Sequence, residues 1–184
     1  MENKIIHKAI SKTGKTISFR YPTNKDAQII TDFMNKASQE KTYISFQGEE
    51  LKLEKEKKWL KSTIRDIKNK EKIYIMVFID NKLVGSSDIV LEKYSRKHVG
   101  VFGIIIDHDY RGEGIGKTLM KLVISEAIKK IKGLKIIILD VFCTNIIAQD
   151  LYKKMGFTEY GRLPKGLKRR GKYVDMVLMQ KKVK

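Results

Sequence analysis

Apolar positions recur along this chain with two periods, and the changes of period mark out its elements. Residues 4–10 and 15–21 read as two short strands around a hairpin signal at Ser11 and Gly14. Pro22 ends the second strand, and Thr23 or Asn24 can cap the next helix. Residues 25–36 bring Ala27, Ile30, Phe33, Met34 and Ala37 to one side, which predicts a helix. Residues 42–48 read as an aromatic loop or a short strand. Residues 49–70 predict a long charged helix whose apolar face is Trp59, Leu60, Thr63, Ile64 and Ile67.

Strands are predicted next at 72–79 and 82–91, joined tightly at Asp80 and Asn81. A polar loop at 92–97 precedes a strand at 98–106. Ile115, Leu119, Leu122, Val123, Ala127, Ile128 and Ile131 then share a helical face, and Gly133 ends that helix. The nearly unbroken apolar run at 135–142 predicts a strand covered on both faces. A helix capped by Thr144 or Asn145 runs to about Met155. Strands at 157–163 and 172–179 flank a basic loop at 164–171. This order of elements predicts a mixed α/β sheet.

Composition narrows the reading a little. The 184 residues suit one domain, and 42% hydrophobic content suits a soluble globular chain. No apolar run reaches the ~18 residues of a membrane span. The first dozen residues carry no secretory signal. The lone Cys143 rules out an internal disulfide and fits a reducing cytoplasm. The net charge of +18 could mark a nucleic-acid binder, but it suits a phosphate-bearing ligand equally. Much of it is lysine spread over helix faces; the densest cluster is at 165–172, with Lys181, Lys182 and Lys184 expected in a frayed tail.

Residues 101–117 carry the densest chemistry: a strand, a polar turn, a glycine-spaced loop and a helix start. Such a junction binds anions, because loop and first-turn amides lack backbone partners and the helix dipole adds positive potential. Gly112, Gly114 and Gly116 let backbone approach a phosphate, and Arg111 adds a fixed charge. A Walker A loop is excluded, because Arg111 stands where its first glycine belongs and too little chain follows Thr118. A dinucleotide fingerprint fails on spacing, since the run is G-x-G-x-G. A glycine-rich turn that merely joins strand to helix is the bland alternative.

The pattern Arg111-x-x-Gly114-x-Gly116 resembles the acetyl-CoA loop of the GCN5-related N-acetyltransferases (GNAT). A second stretch agrees: Asn145, Ala148, Leu151, Tyr152, Gly156 and Phe157 match that family's N-x-x-A-x-x-L-Y-x-x-x-G-F segment, directly after a buried strand. The resemblance covers residues 17–179. It implies a mostly antiparallel twisted sheet flanked by helices, with a strand–Gly loop–helix acetyl-CoA site. It further implies that Ile104, Ile105 and Ile106 run along the pantetheine arm. Arg111, Gly112, Glu113, Gly114, Ile115, Gly116 and Lys117 would hold the diphosphate, and Asn145 would contact the CoA arm. Tyr152 would stand near the sulfur as general acid, its bland alternative being packing on Phe157.

The base is not evident. Many relatives carry a glutamate on the strand leading into the loop, but residues 98–103 hold no carboxylate. His98, Asp88, Glu92 or a water chain remain open. Cys143 could be an acyl-carrying nucleophile, but no activating base accompanies it, and an inert buried thiol is the plainer reading. The resemblance also sets the two early helices beside the acceptor pocket, where Tyr43, Phe46 and Trp59 touch substrate or pack in the core.

The C-terminal segment is similar to the hairpin of the branch that holds ribosomal-protein and diamine N-acetyltransferases. Strong positive charge argues against polyamines and for a neutral acceptor or one on an acidic surface. The expected activity is acetyl transfer from acetyl-CoA, with no metal, to the primary amine of a small molecule or protein. No nucleic-acid or membrane partner is expected, and a homodimer is left open. The rivals are a basic nucleic-acid-binding module and a silent acetyl-CoA sensor.

Overall fold

A computed structural model of the chain describes residues 4–11 and 14–183. In chain order these form β1 (Ile5–Ile10), β2 (Thr16–Arg20), α1 (Ala27–Gln39), α2 (Leu53–Lys68), β3 (Lys72–Ile79) and β4 (Lys82–Leu91). β5 (Val99–Ile106), α3 (Ile115–Lys130), β6 (Ile136–Phe142), α4 (Ile146–Lys154), β7 (Thr158–Arg169) and β8 (Lys172–Lys182) follow. The strands make one sheet in the order β1-β2-β3-β4-β5-β6-β8-β7. Every adjacent pair is antiparallel except β5 and β6, which are parallel and joined through α3.

All eight residues of β3 are buried, so both faces of the sheet are covered there. α2 covers the face bearing Tyr74: Trp59 meets the Tyr74 ring edge-on at 5.4 Å. α3 packs against β3 and β4 on the other face. Its buried stripe is Ile115, Leu119, Met120, Val123, Ile124 and Ala127. Met120 and Ile124 thus replace Leu122 and Ile128 of the sequence reading, and Ile128 is 46% exposed. Each fully buried Ile, Leu, Met or Val of this stripe contributes about 1.5–3 kcal/mol.

Several boundaries move. The first helix is preceded by one 3-10 turn (Asn24–Asp26), capped by Thr23 in a reciprocal box with Asp26. Asp26 is also held by Arg20 through two bonds of 2.7 and 2.8 Å. α2 begins at Leu53, because Lys52 is extended. Residues 42–48 form bends with no strand, stitched by Gln47 Nε2 donating to the carbonyls of Thr42, Ile44 and Phe46. The turn expected between Ser11 and Gly14 includes Lys12 and Thr13, which lie outside the described residues.

The basic segment 164–171 is not a loop. β7 continues through it to Arg169, and the turn shrinks to Arg170 and Gly171, both at positive φ. β7 is the edge strand, so Pro164 need not donate to a ladder, and an irregularity between Leu163 and Leu167 absorbs its ring. Lys181 and Lys182 are likewise strand residues rather than tail: Lys181 Nζ donates to the Met155 carbonyl at 2.8 Å. Lys184 lies outside the described residues.

Candidate active site

The glycine loop connects β5 to α3. Asp107, at its start, is buried, and Lys36 of α1 donates to both its oxygens at 2.8 and 2.9 Å. The first α3 bond runs from the Thr118 amide to the Gly114 carbonyl. The amides of residues 112–117 make no bond to the described protein, so six donors line one short stretch of backbone. Gly112 and Gly114 sit at φ 81° and 83°, and a Cβ on either would project into open space. The Arg111 guanidinium does not stand free beside them. Its Nε donates to the Ile106 carbonyl at 2.9 Å and its Nη2 to Glu40 at 2.8 Å, tying the loop to the end of α1.

β5 and β6 pair only from Val99 to Val101 against Ile136 to Ile138. Beyond that they part. The Asp107 amide bonds the Val84 carbonyl and the Glu92 amide bonds the Val99 carbonyl. Antiparallel alternation between these bonds turns the Ile104 backbone groups toward the side that β6 has left. An unpaired strand edge therefore borders the gap and runs directly into the loop.

A cavity of about 470 Å³ fills the gap. Ile104, Ile105 and Gly103 of β5 line one wall; Asp140, Val141 and Phe142 of β6 line the other. Tyr74, Asp88 and Gly103 stand directly opposite one another across β3, β4 and β5, so they share the face under α1 and α2. Phe102 points to the opposite face, and Tyr152 meets it edge-on at 6.1 Å. Residues from the two faces of the sheet line one cavity because the parting strands leave a passage between them.

Asp88 and Tyr152 are the polar groups of greatest chemical interest. Burial raises the Asp88 carboxyl; Lys72, 3.0 Å away, pulls it back without cancelling the effect. Lys72 is itself buried, with its Nζ 4.9 Å from the Trp59 ring centre. Burial and then the Asp140 carboxylate push the Tyr152 phenol up to about 12, so it remains a proton donor across the neutral and alkaline range. It is 8% exposed and also packs on Phe157, as the plainer reading expected, with ring centres 6.2 Å apart.

Other sequence candidates fare differently. Asn145 lines the cavity while its Oδ1 caps α4 by accepting from the Ala148 amide. Tyr43, Phe46 and Trp59 all line the cavity. His98 is exposed and Glu92 faces Arg96 at 3.2 Å; neither reaches it. Cys143 is a half-buried free thiol and does not line it. Glu56 of α2 does, and the sequence reading missed it. It lies one turn before Leu60 on the buried stripe, and a carboxylate at such a position was the available signal.

The pattern of the acetyltransferase (GNAT) family matches residues 32–157. The chain belongs to that family. It is 34% identical to an L-amino acid N-acetyltransferase of Escherichia coli over 57% of its own length and 65% of the relative's. The chain spans less than two thirds of the length of the curated relatives it matches. A solved GNAT acetyltransferase of Streptococcus pneumoniae superposes with a TM-score of 0.83 at 27% identity, covering 91% of this chain and 99% of the other. The yncA protein of Salmonella typhimurium, solved with its cofactor acetyl-CoA, superposes at 0.78 with 16% identity over 91% and 94% of the two chains.

The geometry of this GNAT chain fits acetyl-CoA on three counts. The loop offers unpartnered amides beside an open cradle, the Ile104 edge can pair with an extended arm, and the cavity leads past Asn145 to Tyr152. Among the described residues, no group of three or more His, Cys, Asp or Glu side chains is placed to hold a metal ion.

Proposed function

We propose that this chain transfers the acetyl group of acetyl-CoA to a primary amine, with Tyr152 as general acid and Asp88 as general base. The observation that carries the reading is the single cavity that borders the unpaired Ile104 edge, Asp88 and Tyr152 together. The loop amides of residues 112–117 bind the phosphates, and the β5 edge orients the acyl arm. Asp88 takes the proton that the amine loses as its nitrogen attacks the thioester carbonyl carbon, directly or through a water. Its carboxyl, raised by burial, is a stronger base than an exposed carboxylate. Tyr152 donates its phenolic proton to the sulfur as the C–S bond breaks. Phe102 and Phe157 fix the ring that presents this hydroxyl.

The deciding experiment follows free-thiol release from acetyl-CoA against a panel of amino acids, peptides, monoamines, polyamines and aminoglycosides. Amine-dependent thiol release is the expected result. Acetyl-CoA binding by calorimetry without release for any amine would instead indicate a sensor.

A further inference from the structure

We propose that the α2 end of the cavity recognises a second positive charge on the acceptor, and that Glu56 is the residue that reads it. This rests on the acetyl-transfer reading above and names the acceptor class within it. The chain carries 39 Lys and Arg, yet among the described residues none lines this cavity, whereas Glu56, Asp88 and Asp140 all do. A net charge of +18 repels cations at long range, but screening confines that field to about 8–10 Å. The lining decides what is held inside.

The three carboxylates are not equivalent. Asp88 is answered by Lys72. Asp140 is exposed at the far end, where it acts on Tyr152. Glu56 is only 9% exposed and has no hydrogen bond or ion pair among the described residues. The body of the side chain is buried while its carboxylate oxygens stay accessible from the cavity, and an apolar residue at this stripe position would pack without desolvating a charge. Burial raises its carboxyl with nothing opposing the shift.

The surroundings define the ligand. Trp59 and Tyr74 line the cavity beside Glu56, but Lys72 Nζ already stands 4.9 and 5.6 Å from their ring centres, so Glu56 is the carboxylate left to meet a second cation. Ile30, Met34 and Leu51 give apolar wall for an aliphatic spacer. An ammonium or guanidinium joined by an aliphatic chain to the reacting amine satisfies both the unpaired carboxylate and the apolar wall. The sequence reading argued from net charge against such acceptors; the local lining argues for them.

The test compares cadaverine with pentylamine, which share a chain and differ in the second ammonium. In the parent, kcat/KM for cadaverine should exceed that for pentylamine by about tenfold or more, carried mainly by KM. In Glu56→Gln the ratio should fall toward one, and Glu56→Asp should restore part of it. Calorimetry of cadaverine with the CoA-loaded protein supplies a readout independent of turnover, and circular dichroism checks the fold. Equal use of both amines by the parent overturns the proposal, as does a ratio unchanged in Glu56→Gln. Thiol release with neither amine, but Glu56-dependent cadaverine binding, would keep this site and remove the acetyl-transfer reading.

Discussion

The guanidinium of Arg169 lies 3.9 Å above the ring of Tyr43. It joins the tip of the β7–β8 hairpin to the bend that follows α1, and Tyr43 and Leu167 both line the cavity. The hairpin thus meets the cavity at Tyr43 and Leu167, and neither it nor Tyr43 bonds the amides of residues 112–117. Arg169→Ser should raise the KM of the acceptor about three- to tenfold, as expected for loss of one cation–π contact. The KM of acetyl-CoA should stay where it is. Steady-state kinetics that show the acetyl-CoA KM alone rising would assign the hairpin to the donor site.

Gly114→Glu should weaken acetyl-CoA binding by at least about tenfold. Its φ of 83° disfavours any side chain, and a carboxylate would enter the cradle at the positive end of α3. Isothermal calorimetry of parent and variant is the measurement, and equal affinities would remove the loop from the binding site.

Tyr152→Phe should lower kcat by roughly a hundredfold, the lower range for loss of a general acid, with little change in acetyl-CoA affinity. Burial and Asp140 keep the phenol protonated up to about 12, so its ionisation should not bend the rate profile between about pH 6 and pH 10. The variant's profile should be the parent's scaled down. A parent profile whose alkaline fall disappears in Tyr152→Phe would contradict this.

Lys72→Met strands the Asp88 carboxylate beneath α2. Unfolding in urea should show a loss of about 3–5 kcal/mol, the usual cost of breaking a buried pair by removing one partner. The double variant Lys72→Met with Asp88→Asn should recover much of it, since neither charge is then left alone. Additive losses would show that the pair does not interact.

Glu56→Gln should stabilise the fold at neutral pH. Burial holds the Glu56 carboxyl above its unfolded value, so the folded chain keeps a proton that the unfolded chain has released. That contribution is complete below the unfolded value of about 4.3 and is lost as pH rises through the folded one. The parent therefore loses stability relative to the variant across that window. Urea midpoints at about pH 4 and pH 7 check it, and the gap between the two proteins should be wider at pH 7.

Helix and strand identities were legible because the apolar period was strong. β3 and β6 are near-continuous apolar runs, and α2 carries Leu60, Thr63, Ile64 and Ile67 at helical spacing. The continuation of β7 through Pro164 to Arg169 was not legible. Its residues are polar and basic because the strand lies on the sheet edge, where local composition looks like a loop. Arg111 was legible as a fixed charge in the glycine loop, but its partner was not: Glu40, distant in sequence, accepts from its guanidinium.

The sequence by itself determined the glycine loop, the helix start behind it and the Asn145-to-Phe157 segment, because each is a local run whose backbone conformation its own residues dictate. Tertiary structure alone decided which carboxylates face the cavity. Asp88 is brought opposite Gly103 by strand register, and Tyr152 reaches the same space from the other face only because β5 and β6 part after Val101. Glu56 joins them from α2, a helix that precedes both strands in the chain. Register, strand divergence and helix placement are long-range properties, and no local pattern of side chains encodes them.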